Sequence, residues 1–323
     1  MNRFFHSQVS ARPLGFFRVM WGGFLIYYYL SIYWLLNLYY GTGGLKFMEG
    51  LTGAAPKIIY GDAPAWTLQW SLFFWGEQSN FIFLGLYALA LLASLGMMLG
   101  QYTRVCSVVV FFCTVSFQTP AWWGTNSADQ LVKIMSFLFM VASLAGYASR
   151  CYSLDAQKNK SIVGGSASGP SLMPAWPYRL FQVQLCMVYF TSGLQKAGSV
   201  DWQSGRAMEL VFLQTNSWMR FDPGLSEYPA FTALMTIGVL LWELIAFPVL
   251  VWIKPMRLWV LASGVLFHLG IVIFFKVFIF TEIMIVIYCC FLSENQVKWV
   301  LDRLSAMVLP YNSDREVSPP TGS

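Results

Sequence analysis

Charge is what this 323-residue chain has least of: Asp, Glu, Lys and Arg make up 11% of it, where a soluble domain carries roughly a quarter. That shortage excludes an ordinary water-soluble fold. Histidine is scarcer still, with two in the chain. No Cys-x-x-Cys pair or Cys/His cluster stands near either, so no metal site is expected. Of six cysteines, Cys106, Cys113, Cys186, Cys289 and Cys290 fall in apolar segments and Cys151 in a segment expected on the inner side. None falls where an oxidising compartment would pair it, and a disulfide framework is not expected. The net charge of +5 is scattered without a Lys/Arg run, which argues against nucleic acid. The chain has no Gly-x-Gly-x-x-Gly, no phosphate-binding loop and no internal repeat.

What is present is apolar and aromatic: 57% hydrophobic residues, with aromatics at 18%. A bilayer core needs roughly 20 apolar residues per helix. The intervals Arg18–Lys46, Glu77–Arg104, Arg104–Asp129 and Arg257–Lys276 contain no Asp, Glu, Lys or Arg. They predict helices near 14–39, 80–100, 105–123 and 257–275, and four more, each interrupted by one or two ionisable groups, near 127–148, 178–197, 231–253 and 277–293. The fold class expected is therefore an all-α integral membrane protein, a bundle of about eight transmembrane helices. The first apolar run is too long for a cleaved signal and carries Arg18, so it reads as an uncleaved first helix.

Basic residues give the orientation. With both termini inside, twelve of the 20 Lys and Arg residues fall in inner segments and five in outer ones, the remaining three lying within helices. The positive-inside rule then favours cytoplasmic termini. Residues 1–309 form one transmembrane domain, with an inner linker at 151–177 and outer loops at 41–79 and 198–230. The first outer loop holds a glycine turn at 41–44 and the series Trp66, Trp70 and Trp75, and the linker a Gly/Ser run at 164–170. The segment 310–323, with Pro319-Pro320, is expected to be a disordered tail.

Ionisable residues inside a membrane are costly and so are candidates for function. Asp129 and Lys133 begin the fourth helix, Lys196 ends the fifth, and His268 lies in the outer half of the seventh. Glu282 begins the eighth and Glu243 lies near the middle of the sixth. Six groups from five helices thus share the outer half, which predicts a polar pocket walled in part by Tyr189 and Trp202. Each has a plainer reading. Asp129 and Lys133 are spaced i, i+4 in the order that favours a local ion pair. Lys196 stands at a helix end, where a cation complements the dipole and can snorkel. His268 could be an interhelical hydrogen bond, and Glu243 could hold a neighbouring helix. Gln182, Tyr189 and Lys196, spaced by sevens, share one face that could line a cavity or simply pack.

The run Tyr189-Phe190-Thr191-Ser192-Gly193-Leu194-Gln195-Lys196, followed by Asp201-Trp202 and Gly205, resembles the vitamin K-dependent γ-carboxylases and, more broadly, the horizontally transferred transmembrane (HTTM) domain. Phe17-Arg18 with Gly22, Asn126 with Asp129, Ser153-Leu154-Asp155, Trp242-Glu243, and Arg257 with His268 match in the same order. The resemblance spans most of residues 10–295 and implies a bacterial-type inner-membrane protein. It implies Lys196 as the base that deprotonates a reduced, vitamin K-like quinone, and His268 as a donor beside it. Among the matching residues, Asn126, Asp129, Tyr189, Trp202 and Glu243 are expected to bind substrate or quinone, and shared depth adds Lys133 and Glu282 to that set. Three features depart from the family. Gln195-Lys196 replaces a lysine doublet, the stretch Trp123–Ser127 lacks the histidine of true carboxylases, and no large extracytoplasmic domain follows the last helix. Quinol or lipid-linked chemistry in an outward-facing pocket, of a quinol-dependent lyase or oxidoreductase, is the expectation, and these departures count against glutamate carboxylation. The alternative is a non-enzymatic partner in maturation or export of a small secreted peptide, as in the SdpB-like branch; a transporter is third.

Overall fold

The computed structural model describes residues 2–40, 71–72, 80–118, 126–163, 171–214, 219–277 and 279–308. The 41–44 glycine turn, the Trp66/Trp70/Trp75 series, Trp123–Thr125, the 164–170 run and the 310–323 tail lie outside them.

The described chain opens with a short helix α1 (Asn2–His6) and a strand β1 (Gln8–Ser10). Then follow α2 (Arg12–Tyr40), α3 (Asn80–Leu99), α4 (Thr103–Gln118), α5 (Ser127–Leu144) and α6 (Leu154–Val163). Strand β2 (Leu172–Pro174) pairs antiparallel with β1, Val9 opposite Met173. After it come α7 (Trp176–Ala197), the short α8 (Val200–Gln203) and α9 (Ala207–Leu213), and α10 (Pro229–Leu241). The last part is α11 (Lys254–Phe274), α12 (Phe280–Tyr288) and α13 (Glu294–Val308). Helices thus occupy all eight segments read from the sequence. Five of them are long and apolar enough to cross a membrane: Arg12–Tyr40, Phe81–Leu99, Ser127–Leu144, Pro229–Leu250 and Lys254–Phe274. Two are shorter apolar helices, Thr103–Gln118 and Phe280–Phe291, and α7, 22 residues long, is in neither group.

Local chemistry sets the helix starts. Pro177, Pro229 and Pro255 stand in the first turns of α7, α10 and α11, where proline loses no intrahelical bond. Asn126 and Asp129 cap α5 reciprocally: the Asn126 side chain accepts from the N–H groups of Ala128 and Asp129, and the Asp129 carboxylate accepts from Asn126 N–H. Outward faces carry large exposed apolar side chains such as Leu234, Leu266 and Trp259, 67–78% exposed, which suit lipid rather than water. Inside, the rings of Phe17, Trp21, Phe139 and Phe181 pack with centroids 4.5–5.8 Å apart, joining α2, α5 and α7.

One end of the bundle is tied by polar contacts. Buried Arg18 donates to the carbonyls of Met97, Met98 and Tyr152. Asp155 caps α4 from a distance, accepting from Tyr102 N–H at 2.9 Å, Thr103 N–H at 3.0 Å and Thr103 Oγ1–H at 2.8 Å. Burial alone would push the Asp155 carboxyl up, but the bonds from Thr103 and Tyr102 and the charge of Lys158 outweigh it and hold it below the ordinary carboxylate range. A depressed carboxyl stabilises the fold above its unfolded value and loses that contribution as pH falls through the folded one. Asp155→Ala is therefore expected to lower stability by about 1 kcal/mol at neutral pH, the usual cost of a lost cap. In pH-dependent melting, its difference from the parent should fade below about pH 4. A gap that persists in acid would contradict the assignment.

Candidate functional site

At the opposite end, five of the sequence candidates come together. Tyr189, Ser192, Gly193 and Lys196 follow i, i+3, i+4, i+7 spacing along α7 and so share one face. That face meets Trp242–Leu250, the continuation of α10, which is wound as a π-helix and contains Pro248. Proline has no N–H to donate and disrupts regular α winding, and wide turns of this kind recur at functional positions. The close approach requires Gly193: a Cβ there would stand 2.9 Å from Leu244 Cγ and 3.1 Å from Glu243 Cβ.

The approach brings Lys196 Nζ within 2.6 Å and 2.9 Å of the two Glu243 carboxylate oxygens. The ammonium also donates to Ser192 Oγ at 2.6 Å, one turn earlier, and lies 5.4 Å from the centre of the Trp202 ring. Glu243 is almost wholly buried, its side chain 5% exposed, while Lys196 keeps 25%. The pair is thus screened on the carboxylate side and reachable on the amine side.

His268 is fully buried on α11. Its Nε2 lies 2.7 Å from the Tyr189 hydroxyl, which in turn bonds the Tyr288 hydroxyl of α12. Thr281 Oγ1–H donates to the His268 carbonyl at 3.1 Å, fixing α11 against α12. The Tyr189 ring is held by Trp242 edge-on at 4.8 Å and by Phe247 at 4.2 Å. His268 Nδ1 is buried without a hydrogen-bond partner.

These groups border a partly open cavity of about 250 Å³, lined otherwise by side chains that include Val188, Met208, Val239, Phe267, Ile271 and Met284. A second hollow of about 320 Å³ beside α8 and α9 shares Trp202 and Val211 with it. Chemically the cavity is an apolar ring-sized slot with an ion pair at one side. No group of three or more His, Cys, Asp or Glu among the described residues could hold a metal.

Lys196, His268, Tyr189, Trp202 and Glu243 all line it; Asn126, Asp129, Lys133 and Glu282 do not. α5 supplies no wall to the cavity, so equal depth in the bundle did not place its residues at the same point around it. Asn126 and Asp129 form the α5 cap, and Asp129 also accepts from Tyr28 O–H at 2.7 Å. Gln118 Nε2–H bonds the Tyr28 hydroxyl and the Asp129 carbonyl, tying α2, α4 and α5. The ion pairs of the described residues do not include Asp129–Lys133. Glu282 lies between Phe280 and Met284, which both face the cavity, and two residues along a helix turn a side chain away from that face. Of the Gln182–Tyr189–Lys196 stripe, Gln182 packs, donating to Cys290 O at 2.7 Å. Sequence reasoning missed Ser192, whose one signal is its i−4 spacing from Lys196, and Tyr288, which no local pattern marks.

Fold and site together define a helical membrane protein with a buried polar site at one end of its bundle. A model of the HTTM domain matches residues 45–296, and the chain belongs to that family. No solved structure matches it.

Proposed function

We propose that the cavity binds the ring of a lipid-soluble quinol and that Lys196 and Glu243 move its hydroxyl proton. The observation that carries this reading is the Lys196–Glu243 pair at the wall of an apolar slot. Isolated charge is costly in such a place, and two coupled groups 2.6 Å apart can pass a proton between them. The slot suits a head group alone: about 250 Å³ is just below the roughly 300–1,000 Å³ of ordinary ligand pockets, enough for a ring, so an isoprenoid tail would extend beyond it. Val188, Val239 and Ile271 would hold the ring, with Lys196 among the same lining residues. A reduced quinone, when bound, supplies an acidic hydroxyl and reducing electrons. Lys196 as found is an ammonium donating to Glu243 and Ser192, so it cannot accept a proton directly. Passing its own proton to Glu243 leaves a neutral amine, and that amine can take the hydroxyl proton. Glu243 is thus the proton store and Ser192 keeps the amine aimed. The resemblance to γ-carboxylases supports the same assignment.

In this reading all eight helices cross the membrane, the short α4 and α12 inside the bundle, with both termini cytoplasmic and the slot opening outward in a bacterial inner membrane. The excess of basic residues at the Arg18 end supports that orientation. Reporter fusions in the 151–170 segment should therefore read cytoplasmic and those near 222 extracytoplasmic; the reverse would overturn the outward slot.

The binding test is mass spectrometry of lipids extracted from purified protein. An isoprenoid quinone should be enriched over the bulk membrane in the parent and depleted at least tenfold in Ile271→Trp, which fills the slot. No enrichment in the parent would overturn the quinol reading and favour a partner in peptide maturation.

A further inference from the structure

Two arginines at the Arg18 end of the bundle have no carboxylate to answer them. Arg179 stands on the opening turn of α7 and Arg257 on the opening turn of α11. Neither takes part in an ion pair among the described residues. Glu294, at that end, is held by Arg12 at 2.7 Å and by Lys298 at 3.3 Å, and Asp155 is occupied by the start of α4. Both arginines border one turn. The Arg179 guanidinium packs against the rings of Phe4 and Trp252, its carbon 4.7 and 5.5 Å from their centres. Arg257 Nε–H donates to the Val251 carbonyl at 3.0 Å. Val251 and Trp252 are consecutive, and the two cations are close enough to repel each other.

Most of their donors are unspent. A guanidinium carries five N–H groups in a planar fork. Arg179 gives one to Gln182 Oε1 at 2.8 Å, and its Nε–H is buried without a partner. Arg257 gives one to Val251, and the other Nη hydrogens of the pair meet no acceptor among the described residues. The helix starts add to the positive field. Neither α7 nor α11 has an acidic residue in its first turn or a side-chain cap, and the positive end of a helix disfavours a cation beside it. Two like charges, held in place by rings and a carbonyl, are a poor arrangement alone and a good one around an anion.

We infer that Arg179 and Arg257 hold the phosphate of an anionic phospholipid from the leaflet at this end, cytoplasmic in the orientation given above. Arginine suits phosphate because two parallel N–H groups of its fork match two phosphate oxygens. The surroundings favour a lipid over a soluble phosphate. Ile253, Met256, Leu258 and Trp259, around Arg257, are large, apolar and exposed, so acyl chains have a surface to follow from the head group. Anionic lipid gathers at the cytoplasmic face, where basic pockets between helices recognise it. The inference is independent of the quinol reading. Its consequence is that one phosphate would link the starts of α7 and α11, the helices that carry Lys196 and His268.

Native mass spectrometry of the full-length, delipidated protein in detergent, titrated with dioleoyl phosphatidylglycerol, tests the site. The parent should bind a first phosphatidylglycerol more tightly than any further copy, and more tightly than phosphatidylcholine, whose head group has no net charge. Arg179→Gln and Arg257→Gln should each weaken that first binding by roughly tenfold or more, the usual worth of a hydrogen bond to a charged group. Arg303→Gln, which removes an exposed charge elsewhere, should leave it unchanged. Arg179→Lys and Arg257→Lys keep the charge and guard against a folding defect; each should still bind more weakly, because a lone ammonium offers no fork. Gln or Lys variants that bind as tightly as the parent would overturn the site, and so would an Arg303→Gln as weak as they are. Saturation by inorganic phosphate, with no preference left for the lipid, would overturn lipid as the source.

Discussion

Lys196→Ala should destabilise the protein sharply, and adding Glu243→Gln should recover most of the loss. The reason is the asymmetry of the pair. Truncating Lys196 strands a carboxylate that is 5% exposed and whose oxygens bond Lys196 at 2.6 and 2.9 Å. Removing one partner of a buried pair costs roughly 3–5 kcal/mol, most of it from the uncompensated charge. Here the lower end applies, because Lys196 itself is 25% exposed and water can follow into the space it leaves. Neutralising Glu243 removes the stranded charge, so the double variant should melt nearer the parent than Lys196→Ala alone. Lys196→Arg should retain the ion pair and the fold yet lose quinol-dependent turnover, since guanidinium stays protonated and cannot serve as the acceptor. Thermal unfolding in detergent reads the first effect. An unchanged midpoint in Lys196→Ala would mean that Glu243 is not held by the lysine. Full turnover in Lys196→Arg would remove the proton-transfer role.

Arg18→Met should be the most damaging change outside the site. Arg18 is completely buried and has no carboxylate within ion-pair distance among the described residues. Its guanidinium instead bonds the carbonyls of Met97, Met98 and Tyr152. The first two belong to the last turn of α3, whose negative dipole end suits a cation. Methionine keeps the volume and removes every donor. Each buried carbonyl left unsatisfied costs about 1–3 kcal/mol, and Met97 is partly spared because Gly100 N–H also reaches it at 3.2 Å. Loss of several kcal/mol is expected, seen as a lower melting point together with faster proteolysis around 146–155. Arg18→Lys should fall in between, because one ammonium on a flexible stem cannot span three carbonyls from two elements as a planar fork can. A Met variant as stable as the parent would show that the dipole and the backbone alone hold that end.

The family glycines and the site acquire one explanation. Gly22, beside Arg18, brings α2 against α3: a Cβ there would lie 2.6 Å from Met98 Cα. Gly193 does the same for α7 and the π-wound segment at Glu243. In both places a missing side chain on one helix lets a charged side chain one turn away reach its partner.

The sequence by itself determined that the chain is helical and membrane-bound, and located eight helical segments to within a few residues. Apolar length and the spacing of charges are local quantities, summed along one helix at a time. It also singled out Lys196, Glu243, His268, Tyr189 and Trp202, because an ionisable or amphipathic group inside an apolar run is costly wherever it points. Position along each helix was legible too, since it is counted from the helix ends. Direction around the bundle was not. Asp129 and Lys133 stand on a helix that gives the cavity no wall, and Glu282 shares a helix with two lining residues yet is absent from the lining. The partnership of Lys196 with Glu243 was equally invisible, because 47 residues separate them and their meeting depends on the π-wound turn near Pro248 and the gap at Gly193. Tertiary structure alone decided which charges are paired and which side chains border the slot, and hence what chemistry the slot can do. Those facts depend on how helices rotate against one another, and rotation is set by packing across the whole bundle rather than by any one stretch of chain.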